Sequence, residues 1–437
     1  MRIFLNDHKV ASQNDLLLDE SVAGVGDSWG KTQIYSRSAI DLRNFRTPFG
    51  SISLLYGPRQ VGKTSSLRLF LASLPDSETL LFTDCSAVLN RSDLFQHLRG
   101  LIEGPTTIVL DEVQEVPDWH LALRALHAEG LLRQCRVWCT GSEARHLLES
   151  GERLPGRKGE GTTLFARPWS FREYLEFFFP AMLSQLEGMR LSYVTQEWID
   201  DRDDAFLAPW RGYLTCGGIP KVAAEFKRTG TISDRTFRIY EDWILGTWSE
   251  VRTAERSLRA LARRLTETMN SRVSFEALKK DTDILSANTV RTLLELQEDH
   301  FALRVVPRFD PQRKRFLPAK LKKVFPLDPF IARTLACIGA NVRRKYAESC
   351  PPLALDECAF QTQTLRLADQ EELTYLYSDH TKSEVDFCLG DFAFELKTRG
   401  RPTEKQRALL QTARRPFVLQ ERAVPIVACL LGESRVP

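Results

Sequence analysis

Between residues 51 and 179 short apolar runs alternate with segments of helical pattern. SISLLYG precedes TSSLRLFLASL, TLLFTD precedes SDLFQHLRGLI, TTIVLDE precedes DWHLALRALHAEG, and RVWCTGS follows. The runs have the length of strands, and the segments between them repeat their apolar residues at the three- and four-residue spacing of a helix face. Strand and helix in alternation predict a parallel sheet covered on both faces.

The pattern changes on either side of that region. Residues 1–46 mix polar and apolar positions without a clear period and read as an N-terminal extension, with a short helix expected over 36–46. From 180 to 255 the chain turns mostly helical and rich in Trp and Tyr, broken at GGIP (217–220), as a helical lid beside the sheet would be. Residues 256–340 run through three helices to two strand-like segments, LRVVPRF and KRFLPAKLKKVF, joined by the basic turn DPQRK. That order predicts a winged helix. Beyond it, 341–437 holds a helix (DECAFQTQTLRLA), strands (ELTYLYSD, SEVDFCLG, DFAFELKTR), a helix (TEKQRALLQTAR) and a last strand, PIVACLL. The fold class expected is therefore α/β: a P-loop sheet core over 47–179, the lid, the winged helix and a second, smaller α/β domain.

Composition narrows the function classes. With 437 residues, 43% apolar and 27% charged, the chain has material for several separate cores and the balance of a globular protein. No apolar run reaches the roughly 18 to 20 residues that span a bilayer, so no membrane partner is expected and the cytoplasm is the expected location. Nine cysteines without a CxxC pair or Cys/His cluster point to reduced thiols rather than a disulfide framework or zinc site. A net charge of +3 implies no nucleic acid by itself, which leaves the local clusters at 313–315 and 320–323 to carry any such case.

The clearest chemistry lies at 57–64. GPRQVGKT satisfies G-x-x-x-x-G-K-[ST] between a strand and a helix, the context in which that motif holds phosphates. Gly57 and Gly62 allow turns that aim amide N–H groups at phosphate oxygens, and the helix N-terminus adds its partial positive charge. Lys63 is placed to reach the β and γ phosphates and Thr64 to offer its hydroxyl to Mg²⁺; Ser65 follows them into the helix. Downstream, TTIVLDE ends in Asp111, expected to hold Mg²⁺ through its shell, and Glu112, expected to polarise the attacking water. Thr140 and Ser142 close the next strand, either to sense the γ-phosphate or simply to end the strand. ATP and Mg²⁺ are the cofactors this site predicts.

Together GPRQVGKT, IVLDEVQEVPDW, TGSEARHLL, LPGRKGEGTTLFARPWSFREYL and YLTCGGIPKV resemble one group of bacterial and archaeal AAA-type ATPases. Members pair the ATPase half with a C-terminal half that includes a restriction-endonuclease-like fold. The resemblance covers most of the chain from residue 51 and implies an AAA-like core, a helical lid and a winged helix. It also implies a ring or filament with ATP at subunit interfaces. By similarity, Arg157 in LPGR is a phosphate-facing or intersubunit arginine, with a surface salt bridge as the alternative, and Arg59 contacts nucleotide or a neighbouring subunit. The stretch KGEGT after Arg157 departs from the family's pattern and puts that arginine's aim in doubt.

A second constellation lies near the C-terminus. Asp386 in SEVDF followed by Glu395 and Lys397 in FELKT has the D…ExK order of PD-(D/E)XK nucleases, with Glu357 on the preceding helix as a further acid. Alternate residues of a strand share a face, so Glu395 and Lys397 are expected to point together at a metal held also by Asp386 and Glu357. Two functions follow. In the first, ATP state controls a winged helix that holds DNA, chiefly through its basic wing, and a metal-dependent nuclease domain that cuts it. In the second, the same parts form a nucleotide-controlled switch that binds DNA or a protein partner, and the nuclease-like domain is not catalytic.

Overall fold

The structure is a computed structural model that describes residues 2–5, 8–9, 40, 42–75, 78–144, 147–149, 159–200, 204–310, 313, 315–317, 320–367, 372–397 and 400–432. It divides into two compact units. The first is Met1–Arg167 with Asp299–Phe301, the second Pro168–Glu298 with Ala302–Pro437.

The first unit is built on one sheet. Its strands are β1 (Arg2–Leu5), β2 (His8–Lys9), β3 (Ser51–Tyr56), β4 (Thr79–Asp84), β5 (Thr106–Asp111), β6 (Cys135–Gly141) and β7 (Thr163–Phe165), in the order β2-β1-β4-β5-β6-β3-β7. All pair in parallel except β2, which is antiparallel at one edge. Successive residues of a strand face opposite sides. Ile108 and Leu110 of β5 accordingly enter a core with Leu94, Leu98, Trp119 and Leu123, from the helices Arg91–Leu101 and Trp119–Ala128. Val109 between them enters another with Leu67, Phe70 and Leu71 of the helix Lys63–Ala72. Both faces are thus covered, and the strands read as continuous apolar runs for that reason.

Two edges of this sheet differ from expectation. The segment read as an extension supplies β1, which pairs along β4, and the KGEGT region leads into β7 beside β3. Edge strands this short are held by main-chain bonds and leave little periodic signal. Of the helix expected at 36–46, the described residues contain only the single turn Leu42–Asn44.

The second unit opens at residue 168 rather than 180, because the helix Phe171–Phe178 packs within it: Phe171 sets its ring against Trp210 and Tyr213, and its N–H donates to Gln363 at 2.6 Å. The helices Leu207–Cys216, Pro220–Thr229, Asp234–Ser249, Glu255–Glu267, Ala287–Asp299 and Pro329–Gly339 follow, with short ones between. Strands β8 (Leu303–Val306) and β11 (Lys323–Pro326) form an antiparallel pair.

The remaining strands are β9 (Arg308–Asp310), β10 (Arg315–Phe316), β12 (Thr374–Tyr377), β13 (Glu384–Leu389), β14 (Phe392–Lys397) and β15 (Arg415–Gln420). They form one sheet in the order β10-β9-β12-β13-β14-β15. The basic turn therefore joins two strands of the C-terminal sheet, and the division expected at 340 runs through that sheet. PIVACLL, expected as a strand, is the helix Ala423–Leu431, buried along its whole length. A helix enclosed on every side has the same continuous apolar run as a buried strand. Among the described residues no helix is long and apolar enough to cross a membrane.

Candidate functional site

Sheet order assembles the candidate nucleotide site. β6 lies between β3 and β5, and all three run parallel, so the ends of three strands bring the loop 57–62, Thr140 with Ser142, and Asp111 with Glu112 to one edge. Ligands of open α/β sheets bind at this edge. The loop's path depends on its glycines: at Gly57 (φ +150°) a Cβ would stand 2.0 Å from the carbonyl oxygen of Ala166, and Gly62 opens the helix at φ 97° in the left-handed region.

Lys63 folds back into this loop. Its Nζ donates to the carbonyl oxygens of Gly57 (2.9 Å) and Pro58 (3.0 Å) and lies 3.9 Å from Glu112, with the side chain 4% exposed. Burial lowers its pKa, and the nearby charges of Glu112 and Asp111 only partly oppose this. Thr64 donates to Asp111 Oδ2 at 2.8 Å and Thr140 donates to the other oxygen, Oδ1. Burial raises the Asp111 carboxyl despite those two bonds.

Glu112 sits at φ 52°, a left-handed conformation that a non-glycine residue adopts only when its surroundings hold it there. Its N–H donates to Thr140 Oγ1 at 2.9 Å, while Gln114 Nε2 (2.6 Å) and Ser142 Oγ (3.0 Å) both donate to Oε2. Burial would raise its pKa, but the charge of Lys63 and those two side-chain bonds hold the carboxyl below its ordinary value. Glu112 is thus a fixed carboxylate with a defined direction. Gln114, two residues further on, was not singled out from the sequence; the spacing D-E-x-Q was the available signal.

The donor set fits Mg²⁺ with a nucleotide. Mg²⁺ is usually held by one or two carboxylates or hydroxyls together with phosphates and water, and Thr64 hydrogen-bonded to Asp111 offers such a pair. Ser65 is half-buried in the first turn of the helix, and Arg59 lies near enough for its charge to act on Lys63 and Glu112. Arg157 lies outside the described residues.

The C-terminal acids gather around a lysine. Lys323, on β11, is fully buried, and its Nζ lies 3.1 Å from Glu357 Oε2, 2.9 Å from Glu384 Oε1 and 3.0 Å from Asp386 Oδ1. Glu384 and Asp386 are alternate residues of β13, and Glu357 comes from the helix Asp356–Gln363. Asp386 Oδ2 accepts from the Leu396 N–H at 2.9 Å. Glu395 does not touch Lys323 but lies near enough to Asp386 to feel its charge; Lys397 Nζ and Gln406 Nε2 are both 2.7 Å from its Oε1, and its buried Oε2 has no hydrogen-bond partner.

Burial, then the nearby Asp386, pushes the Glu357 carboxyl up to about 8 and that of Glu395 up to about 7. Burial alone would lower Lys323, but Asp386, Glu357 and Glu384 together raise it. The structure therefore brings Glu357 and Asp386 together, as a metal site requires, but around an ammonium group, with Glu395 Oε1 engaged by Lys397 and Gln406. Among the described residues no group of His, Cys, Asp and Glu is arranged to hold a metal ion. Lys323 closes the 320–323 cluster expected to serve nucleic acid, but it is buried among acids and unavailable to phosphates; Glu384, two residues before Asp386, was not singled out, although strand alternation made it legible. Of the basic clusters, Arg313, Arg315 and Lys320 face solvent, whereas Lys322 lies over the Phe275 ring at 3.9 Å.

A family model described as an AAA domain matches residues 50–175, and one described as a domain of unknown function, DUF8612, matches residues 208–342. No curated protein matches the chain. Among solved structures, Cdc6p from Pyrobaculum aerophilum is 14% identical over 74% of this chain and 98% of that one, with a TM-score of 0.26. The Thermotoga maritima RuvB Holliday junction branch migration motor is 14% identical over 69% and 92%, with a TM-score of 0.31. The Aeropyrum pernix ORC2 protein in its ADP form is 12% identical over 67% and 88%, with a TM-score of 0.34. The match over 50–175 and the sheet order make the first unit an AAA-type P-loop core.

Proposed function

We propose that the protein binds ATP with Mg²⁺ and hydrolyses it at the edge formed by β3, β6 and β5, and that nucleotide state governs how the rest of the chain engages DNA. The observation that carries the ATPase reading is the linked set Thr64–Asp111–Thr140–Glu112, in which Thr140 ties the Asp111 carboxylate to the backbone of the water-polarising acid. Mg²⁺, when bound, would spread the charge that develops on the phosphoryl oxygens. Lys63 exchanges its two carbonyl acceptors for β and γ phosphate oxygens, a favourable trade for a buried cation short of charged partners. Gln114 and Ser142 hold one oxygen of Glu112, leaving the other to take a proton from water.

The experiment is phosphate release and ATP binding by the purified full chain. Lys63→Ala is expected to lose binding and hydrolysis together, and Glu112→Gln to keep binding while the rate falls by about 10²-fold or more. Hydrolysis that survives Glu112→Gln unchanged would sink the assignment of that residue; ATP binding that survives Lys63→Ala unchanged would sink the site.

For the C-terminal domain, the Lys323 cluster favours the switch reading over cleavage, because the acids expected to hold a catalytic metal are already neutralised. In that reading the exposed Arg313, Arg315 and Lys320 supply phosphate contacts to DNA.

A further inference from the structure

We propose that the Lys323 ammonium is the resident cation of the C-terminal acid cluster, standing where a divalent metal would stand, so that the folded domain takes up no metal there. The inference deepens the switch reading and is independent of ATP hydrolysis.

The first support is saturation. An ammonium group has three N–H donors. Lys323 finds three carboxylate oxygens within 2.9–3.1 Å, each from a different residue, so donors and acceptors match in number. Among the described residues, Glu395 Oε2 is a buried oxygen of this group without a hydrogen-bond partner, a single ligand where a divalent ion needs several, and three further oxygens are already engaged. Asp386 Oδ2 is taken by a backbone N–H, Glu395 Oε1 by Lys397 and Gln406, and Glu384 also pairs with Arg272. A divalent ion beside the ammonium would meet like charge at close range in a buried site, where such repulsion is strongest.

The second support is that the lysine is fixed by its backbone. Before it, Lys322 exchanges both main-chain bonds with Val273, at 2.8 and 3.0 Å, and Tyr375 donates to the Leu321 carbonyl. After it, Val324 and Phe325 are buried, Phe325 packs on Phe387, and the Pro326 carbonyl accepts from Gln361 Nε2 at 2.9 Å. A plug meant to be withdrawn would need a looser tether. Replacing a metal by a lysine also keeps the acids paired without dependence on metal supply, since an unpaired buried carboxylate is strongly destabilising.

The test is Mn²⁺ binding, counted by loss of the free-ion electron paramagnetic resonance signal, in nucleotide-free full-length protein. All samples carry Thr64→Ala and Asp111→Asn, which silence the nucleotide site. With Lys323 present, no Mn²⁺ that depends on Asp386 is expected at free concentrations up to about 1 mM, the weak end of protein carboxylate sites. Lys323→Ala is expected to gain one equivalent, and adding Asp386→Asn to remove it. Binding by the Lys323 protein that disappears with Asp386→Asn would overturn the proposal, as would a folded Lys323→Ala protein that gains none. If Lys323→Ala does not fold, the Asp386→Asn comparison in the Lys323 background decides alone. Loss of ATPase activity bears on none of these results, so the two readings fail separately.

Discussion

Among the described residues two lysines are buried beside acids, and they are handled in opposite ways. Lys63, 4% exposed, spends its hydrogen bonds on two carbonyl oxygens and keeps its nearest carboxylate at 3.9 Å, so burial wins and its pKa falls. Lys323, fully buried, has three carboxylates within 3.1 Å; burial opposes its charge, they outweigh burial, and its pKa rises. A cation left short of counter-charge is prepared for an anionic ligand. One supplied with counter-charge from its own chain is structural. Sequence type does not distinguish the two, but the surplus or deficit of partners does.

The largest effect should come from removing each charge with a side chain of similar length. Lys323→Met leaves the carboxyl groups of Glu357, Glu384 and Asp386 without their cation, and a cost of about 3 to 5 kcal/mol is expected in urea unfolding of the domain that contains it. Lys63→Met removes an under-compensated cation, and Asp111 and Glu112 keep their bonds from Thr64, Thr140, Gln114 and Ser142. Its cost should stay within about 1 kcal/mol. Equal costs at the two positions would break the comparison.

The same contrast explains what the sequence disclosed. The candidate nucleotide site is legible because its demands are local: two glycines, a lysine and a threonine in eight consecutive residues, between a strand and a helix whose apolar patterns are unambiguous. Asp111, Glu112 and Thr140 followed because they end successive parallel strands. Lys323 was not legible, since nothing in KLKK marks which lysine turns inward; that depends on β11 lying under β13 and the helix Asp356–Gln363. The helix Ala423–Leu431 was misread because enclosure on all sides erases its period, and β15 was missed because only Phe417 and Leu419 of its alternation are buried. The shared sheet of β9, β10 and β12 reflects pairing across more than sixty residues, which no local pattern records.

Acid titration should separate the two clusters next. Glu357 has its folded pKa raised from 4.5 to about 8, so its contribution is full below about pH 4.5 and is lost as pH rises through about 8. Glu112 is lowered, so its contribution is present above 4.5 and is lost as pH falls below that value. In unfolding measured from about pH 4 to 8, Glu357→Gln should flatten the decline on the neutral side by roughly 1 to 3 kcal/mol. Glu112→Gln should change only the acid side, by under about 1 kcal/mol for its partly exposed carboxylate. A neutral-side slope untouched by Glu357→Gln would mean that its proton is held equally well in the unfolded chain.

The smallest effects concern two glutamines in parallel roles. Gln114 donates to Glu112 at 2.6 Å and Gln406 donates to Glu395 at 2.7 Å, so each amide fixes one carboxylate. If the first cluster acts on a ligand and the second only supports the fold, the same truncation should be read by different instruments. Gln114→Ala leaves Ser142 on the same Glu112 oxygen, so stability should barely move while the ATP hydrolysis rate falls by about 10-fold through loss of direction. Gln406→Ala should leave that rate unchanged and lower stability by about 1 kcal/mol, because Lys397 still holds Glu395. Equal rate losses from both substitutions would join the two clusters in one activity; equal stability losses and no rate change would remove Gln114 from the chemistry.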